Sequence, residues 1–472
     1  MTDLPSSPAP TTRREHDSLG DRDVPEAVYW GISTLRAVEN FPVSGRPIGS
    51  LRSLVRALGA VKRAAARANE SLGLLEPDKS AAIQAAAGEV MGGRWDDQFV
   101  VDAIQGGAGT STNMNANEVI ANRALELLGR GKGDYSALHP IDDVNRSQST
   151  NDVYPTAVKI ALQLDLAKLC AEHSLLIESF QAKATEFTGI VKVGRTQLQD
   201  AVPMSLGQEF GAFAETLRED RHRLLELLPH LAESNLGATA IGTGITAPSG
   251  YREAVIRELA SITDLPLASA SNLVEATSDT GVFLLVSGVL KRAAVKLSKI
   301  CNDLRLLSSG PQAGFAEIFL PAVQAGSSIM PGKVNPVIPE MVNQVAFRVV
   351  GADATVTMAV EAGQLQLNAF EPVMADSLLE SLAWLTVACR QLRTHCVDGI
   401  TANVPMLQQR MLGSISVVTG LAPLLGYAAA AELAKEALAS GRGIAELVLE
   451  RGLLDRQQAE TVLSAAALAG LG

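Results

Sequence analysis

Aromatic side chains are scarce in this chain, 4% of its 472 residues, too few to build sheets on aromatic cross-strand pairs. Cysteine is scarcer still. Cys170 and Cys301 are isolated and Cys389 and Cys396 lie seven apart, so there is no C-x-x-C and no metal-ligand spacing. A reduced, cytoplasmic protein is expected. The six histidines, His16, His139, His173, His222, His230 and His395, form no H-E-x-x-H or other clustered set; no metal site is expected from them. A basic stripe is missing as well. The formal net charge is -11, whereas a phosphate-backbone partner selects for clustered Lys and Arg, so nucleic acid is not an expected partner. A small acidic substrate stays open, because one local Lys and a few backbone N–H groups reverse the field inside a single pocket.

The first residues, MTDLPSSPAPTTRREHDSLGD, lack the apolar core of an export signal, and their Pro/Ser-rich composition predicts a disordered tail over residues 1–22. One charge-free run, Leu412 to Ala431, reaches the roughly 20 residues that span a bilayer. Pro423, three glycines, two serines and Thr419 interrupt it, and no basic cluster marks a cytoplasmic side. A buried segment of a soluble protein is expected there, with no membrane partner.

What the chain has is aliphatic. Apolar residues are 47% and charged residues 19%, and the length calls for two or three domains. Leu206, Phe210, Phe213, Leu217, Leu224, Leu228 and Leu231 keep helical spacing from Ser205 to about Glu233, which predicts one long amphipathic helix with a kink at Pro229. Phe283, Val286, Leu290, Ala294, Leu297, Cys301 and Leu304 repeat the pattern up to Ser309 and Gly310. Further long helices are predicted from about Glu340 into the 360s and from about Ala375 to Cys396. The first part of the chain is more mixed, with a shorter helix from Asp78 to Met91 and a Gly/Asn-rich stretch from Gln105 to Asn117. The reading is mainly helical: an N-terminal domain over 23–148, a central helical bundle over 149–404 and a small helical domain over 405–472.

Between two helical regions lies GSSIMPGKVNPVIPE, Gly326 to Glu340. Two glycines, three prolines, two hydroxyls, one Lys and one Asn make a loop that exposes backbone N–H groups, suited to gripping an anion and closing over it. The same composition also fits an ordinary connector, and composition does not decide between them. The eleven residues GSSIMPGKVNP resemble the signature loop of the aspartase/fumarase superfamily. GGAGTSTNMNANEVIANRA from Gly106, HPIDDVNRSQSTNDVYPT from His139 and VGRTQLQDAVPMSLGQEF from Val193 resemble the other family blocks, in the family's order, and the resemblance runs from about Val24 to the C-terminus. It implies an all-α fold of three domains, whose central long-helix bundle forms a 20-helix core in a homotetramer with active sites shared among three subunits. It implies no cofactor.

The implied chemistry accounts for the residue types. Removing a proton next to a carboxylate creates an aci-carboxylate dianion, which needs many donors in a water-poor space. By similarity, Ser327 is the general base for the C3 proton, and Lys333 and Asn335 hold the carboxylate on which charge builds. A serine is a poor base at its ordinary pKa, so neighbouring donors must stabilise its alkoxide. Ser328 reads equally well as a residue that shapes the loop. Thr110, Ser149, Thr150, Asn151 and Thr196 match positions that contact the substrate's carboxylates and amine, although each, taken singly, reads as a helix cap. Asn113 and Asn115 are weaker candidates than Thr110, because Asn in a Gly-rich stretch often serves an αL turn.

At Gln197 the superfamily's fumarases carry His, which assists departure of hydroxide. Ammonia leaves as a neutral amine, so a hydrogen-bonding amide suffices. RTQLQDAVPM and NPVIPE also follow the aspartase branch, while Gly332 stands where many aspartases have Ala. Glu340, which pairs with that histidine in fumarases, here reads as a helix N-terminal carboxylate stabilised by the macrodipole. The expectation is reversible deamination of L-aspartate to fumarate and ammonia. Class II fumarase activity, a lyase for another amine-substituted succinate, and a catalytically silent relative are the alternatives.

Overall fold

The computed structural model describes residues 11–468. The expected tail gives way to structure from Thr12 onward: β1 (Thr12–Asp17) and β2 (Gly20–Pro25) pair antiparallel. The stretch over residues 1–10 lies outside the described residues.

Helices follow, as composition predicts: α1 (Arg52–Ser71), α2 (Pro77–Met91), α3 (Thr110–Leu127), α4 (Thr150–Glu186), α5 (Leu206–Leu225), α6 (Gly281–Leu307), α7 (Val337–Glu361), α8 (Glu371–His395) and α9 (Val404–Gly413). The strands are short. Besides the first hairpin, β3 (Val191–Thr196) pairs with β4 (Gln199–Ser205), and β5 (Ile318–Phe319) with β6 (Thr401–Ala402). The helix predicted from Ser205 to Glu233 is shorter than its apolar spacing. α5 stops at Leu225, and a separate turn of helix, Leu228–Leu231, carries Pro229 in its first turn. Proline supplies no N–H to a carbonyl four residues back and restrains the residue before it, so the chain breaks ahead of Pro229 rather than bending through it. The Gly/Asn-rich stretch is helical from Thr110 onward: Asn113 and Asn115 lie inside α3, buried. The charge-free run is divided among Ile415–Val417, Val418–Leu425 and Tyr427–Ser440, with Gly426 at φ 82° between the last two.

The chain forms two compact units. Among the described residues, unit 1 comprises 11–168, 223–291 and 348–383, and unit 2 comprises 169–222, 292–347 and 384–468. The segment 23–148 therefore falls within unit 1, 405–472 within unit 2, and 149–404 is divided. In unit 1, α6 and α7 are joined where Ser287 Oγ donates to Asp353 Oδ1 at 2.8 Å. In unit 2 four aromatic rings cluster: Phe180, Phe187, Phe210 and Phe213 meet at centroid distances of 5.2 to 6.0 Å, packing α4 on α5 largely edge to face. There Asn343 of α7 donates to the Ser298 carbonyl of α6 at 3.0 Å. A satellite core, with Leu421, Leu433, Leu447 and Val448, gathers the short C-terminal helices. All four cysteines are buried free thiols.

Candidate active site

Unit 1 holds four of the candidates at the starts of two helices. The turn before α3 places Gly107, Ala108 and Gly109 at positive φ in succession. Gly109 is required twice over, because its φ is 87° and a Cβ would lie 2.4 Å from the Tyr154 ring of α4. That close approach sets the first turn of α3 against α4. Thr110 opens α3 exposed, its hydroxyl donating to the Gly107 carbonyl at 2.7 Å. Gln105 Oε1 accepts from the Thr112 backbone N–H at 3.0 Å and closes the cap.

Ser149 precedes α4 and acts as its cap: its hydroxyl accepts the Asn151 N–H at 3.3 Å, and Asp152 Oδ1 accepts the Ser149 N–H at 3.0 Å. Thr150 Oγ1 accepts from Asn113 Nδ2 at 3.0 Å, which brings the two helix starts together. Asn151 Nδ2 donates to the Ala240 carbonyl at 2.7 Å. Thr110, Ser149, Thr150 and Asn151 thus stand on two helix N-termini whose orphan N–H groups and dipoles favour a carboxylate.

A buried polar network lies under them. Lys62 Nζ donates to Asn145 Oδ1 and Gln148 Oε1, both at 2.9 Å, and Asn145 Oδ1 also accepts from Asn113 and Asn117 at 3.2 Å each. Asp152, fully buried, accepts N–H bonds from Ser149, Gly237 and Thr239. Burial pushes the Asp152 carboxyl up and the Lys62 ammonium down, and each charge opposes the other's shift. Sequence reading missed this network. A Lys in an Ala-rich helix carries no sign of burial, and Asp152 is masked by the capping pattern around it. Asn115 settles as structural: its side chain bonds Gln98 O at 2.9 Å and the Val100 N–H at 3.0 Å.

Unit 2 holds the other five. Thr196 ends β3, and Gln197 and Leu198 form the two-residue hairpin turn at φ 53° and 62°. Such turns favour Asn-Gly; side chains with a Cβ at both positions cost about 1–2 kcal/mol each in αL. Thr196 and Gln197 are exposed at the tip.

The loop from Gly326 is closed at its base. Gly326 N–H donates to the Lys333 carbonyl at 2.9 Å, and Asn335 Nδ2 donates to the Gly326 carbonyl at 2.7 Å. A Cβ at Gly326 would lie 2.5 Å from that Lys333 oxygen, so only glycine permits the closure. Asn335 thus braces the loop. Inside it, Ser327 Oγ accepts the backbone N–H of Ile329 at 3.2 Å and of Met330 at 3.0 Å. Ser328 is exposed, as is Lys333, which has no carboxylate partner among the described residues. Lys333 and Asn335 line a cleft of about 700 Å³ with Arg305, Ser308 and Ser309 on its other wall; Ser327, Thr196 and Gln197 do not line it. Glu340 lies in the first turn of α7, as expected of a dipole-stabilised carboxylate.

A cap that accepts two N–H bonds is a turn-former, but those donors also favour the charged form of the oxygen they face. The unit 2 segments therefore offer a hydroxyl with alkoxide-stabilising donors, a cation and an exposed amide. The unit 1 segments offer two helix starts suited to carboxylate. Among the described residues there is no group of His, Cys, Asp and Glu that could hold a metal ion.

Comparison with known proteins agrees with these blocks along the chain. The profile of a family described as Lyase matches residues 20–351, and that of Fumarase C C-terminus matches 417–470. The chain is 57% identical over 458 residues to the aspartate ammonia-lyase of Pseudomonas aeruginosa, a match covering 97% of each. Among solved structures, the fumarate lyase:delta crystallin of Brucella melitensis bound to cobalt has a TM-score of 0.95 at 57% identity, covering 97% of this chain and 100% of that one. The class II fumarase of Schistosoma mansoni has a TM-score of 0.91 at 35% identity, covering 97% and 99%.

Proposed function

The chain belongs to the lyase family of the aspartase/fumarase superfamily, and on that premise we propose that it is an aspartate ammonia-lyase, a carbon–nitrogen lyase that interconverts L-aspartate with fumarate and ammonia. The observation that carries this reading furthest is the pair of backbone donors on Ser327 Oγ. They answer the objection to a serine base, since they stabilise the alkoxide that takes the C3 proton.

In the proposed course, the proton passes from C3 to Ser327, electron density collects on the adjacent carboxylate as the aci-dianion, and the C–N bond then breaks with formation of the carbon–carbon double bond. The substrate undergoes no net redox change, so the elimination calls for no redox cofactor. Lys333 supplies the positive charge for that dianion, with Asn335 beside it. Thr110, Ser149, Thr150, Asn151 and Thr196 supply hydrogen bonds to the carboxylates and amine. Gln197 faces the leaving group as a hydrogen-bonding amide. The protein is proposed to work in the cytoplasm as a homotetramer whose active sites each draw on three subunits.

Class II fumarase is the second reading, favoured by Gly332 and by the likeness to a fumarase structure, and opposed by Gln197. Purified protein is given L-aspartate and L-malate in parallel, with fumarate followed by ultraviolet absorbance and ammonia assayed in both. Fumarate and ammonia from aspartate, with malate inert, is the expected result. Malate-only activity overturns the leaving-group reading and leaves that of Ser327; inactivity with both points to a different amine-substituted succinate.

A further inference from the structure

Ten residues before Ser327, Glu317 is buried to 1% exposure and gathers three cations. Lys192 Nζ meets its Oε2 at 2.7 Å as an ion pair, Arg195 Nη2 donates to its Oε1 at 2.5 Å, and Arg410 Nη1 donates to the same oxygen at 3.3 Å. Lys192 also pairs with Glu209 at 2.7 Å, so the cluster holds three positive and two negative side chains. Burial alone would raise the Glu317 carboxyl; the Arg195 hydrogen bond and the Lys192 charge outweigh it and hold the group below the ordinary carboxylate range. Such a cluster is no strong argument for stability, because well-packed apolar residues often serve as well. Its geometry gives a more specific reason.

The three cations come from two separate pieces of unit 2. Lys192 and Arg195 belong to β3, and Arg195 is the residue before Thr196 and Gln197. Its guanidinium lies 4.2 Å from the Phe315 ring centroid, so it is held by stacking as well as by charge. Arg410 belongs to α9 and also donates to the Gly314 carbonyl at 3.2 Å. Asn403, just before α9, donates its backbone N–H to the Glu317 carbonyl at 2.9 Å and its side-chain N–H to the Ala316 carbonyl at 2.8 Å. Glu317 itself sits between Ala316 and Ile318, which line the same cleft as Lys333 and Asn335. The hairpin tip, with non-glycine residues at both positive-φ positions, is tied to the rest of unit 2 on both strands, by Arg195 on Glu317 and by Asp200, which accepts from Ser414 Oγ at 3.3 Å; the Arg195 tie is the one to a buried charge.

We propose that Glu317 is a positioning residue for the reaction: it fixes the hairpin tip bearing Thr196 and Gln197 against the cleft wall that Lys333 and Asn335 share. This rests on the functional reading above. A displacement of about 1 Å in a positioning group costs on the order of 10²-fold in rate, which sets the expected effect.

The test compares the full-length wild type with Glu317→Gln and Arg195→Met, measuring kcat and KM for L-aspartate and hydrogen exchange of the amides over 195–200. Both variants should lose about 10²-fold in kcat/KM, with exchange at the tip at least about tenfold faster while the amides of Phe180 to Lys183 keep wild-type protection. Wild-type kcat/KM within twofold in the folded variants, or exchange that accelerates throughout unit 2, overturns the proposal. If Glu317→Gln does not fold, Arg195→Met, at a side chain less buried than Glu317, carries the same test. If the wild type does not act on L-aspartate, the functional reading fails by itself, and tip exchange still decides the positioning role.

Discussion

Unit 1 and unit 2 present their candidate residues in opposite ways. In unit 1, Ser149 and Thr150 start α4 and Thr110 starts α3, above a buried network of Lys62, Asp152, Asn113, Asn117 and Asn145. In unit 2, Thr196 and Gln197 ride on a hairpin tip, and Ser327 and Lys333 on a loop tied at its base through Asn335 and bonded within itself only around Ser327 and Met330. The difference suits two tasks. Carboxylate recognition gains from donors fixed before the substrate arrives; proton transfer needs a group brought up to the substrate and water excluded around it. On this account, damage to the unit 1 network acts through folding, and damage in unit 2 acts on turnover.

The sharpest break is Ser327→Ala. Turnover should fall about 10²- to 10⁴-fold, the span of a general base, while thermal melting stays within a degree or two of wild type. Near wild-type turnover would remove Ser327 from the chemistry. Asp152→Ala should do the reverse. It leaves three N–H groups, two of them buried, without their acceptor, so denaturant unfolding should report a loss of about 3–5 kcal/mol; unchanged stability would mean that the network is not what holds the helix starts. Gly109→Ala adds a Cβ at positive φ against the Tyr154 ring and should cost about 3 kcal/mol, again measured by unfolding, with any activity loss following the fraction unfolded.

The smallest effect sharpens the contrast through pH. His173 is buried in the unit 2 part of α4, and burial, with Arg221 nearby, pushes it down from 6.5 to about 4. The unfolded chain takes up this proton near pH 6.5 and the native protein only near pH 4, so stability is lost as pH falls through that window. His173→Leu should remove this part of the acid-side dependence, seen as a flatter curve of melting temperature between pH 6.5 and 4. An unaltered slope would assign the acid sensitivity elsewhere.

The long helices were legible because their apolar residues repeat at helical spacing, and the loop from Gly326 because its glycines, prolines and hydroxyls stand together. The first hairpin was not. Its inward face carries Arg13 and Glu15, buried because they pair at 2.7 Å and because Arg13 bonds the carbonyls of Pro25, Val28 and Trp30; a strand that buries charge shows no apolar alternation. The end of α5 at Leu225 was hidden by leucines that keep helical spacing past the break. Of the site, the residue types were legible and their supports were not. Ser149 reads as a cap and is one, whereas nothing in the spacing of Lys62, Asn145 and Asp152 tells that they meet.

Hydrogen exchange on the wild-type protein, with and without saturating L-aspartate and fumarate, tests the contrast between the two units directly. The account predicts that the amides of 113–116 and of 153, 154 and 156, past the orphan first turns, are protected in both states, while those of 326–335 exchange faster than these in the empty protein and gain protection on binding. Equal protection of the two sets in the empty protein, or no response of 326–335 to substrate, would contradict it.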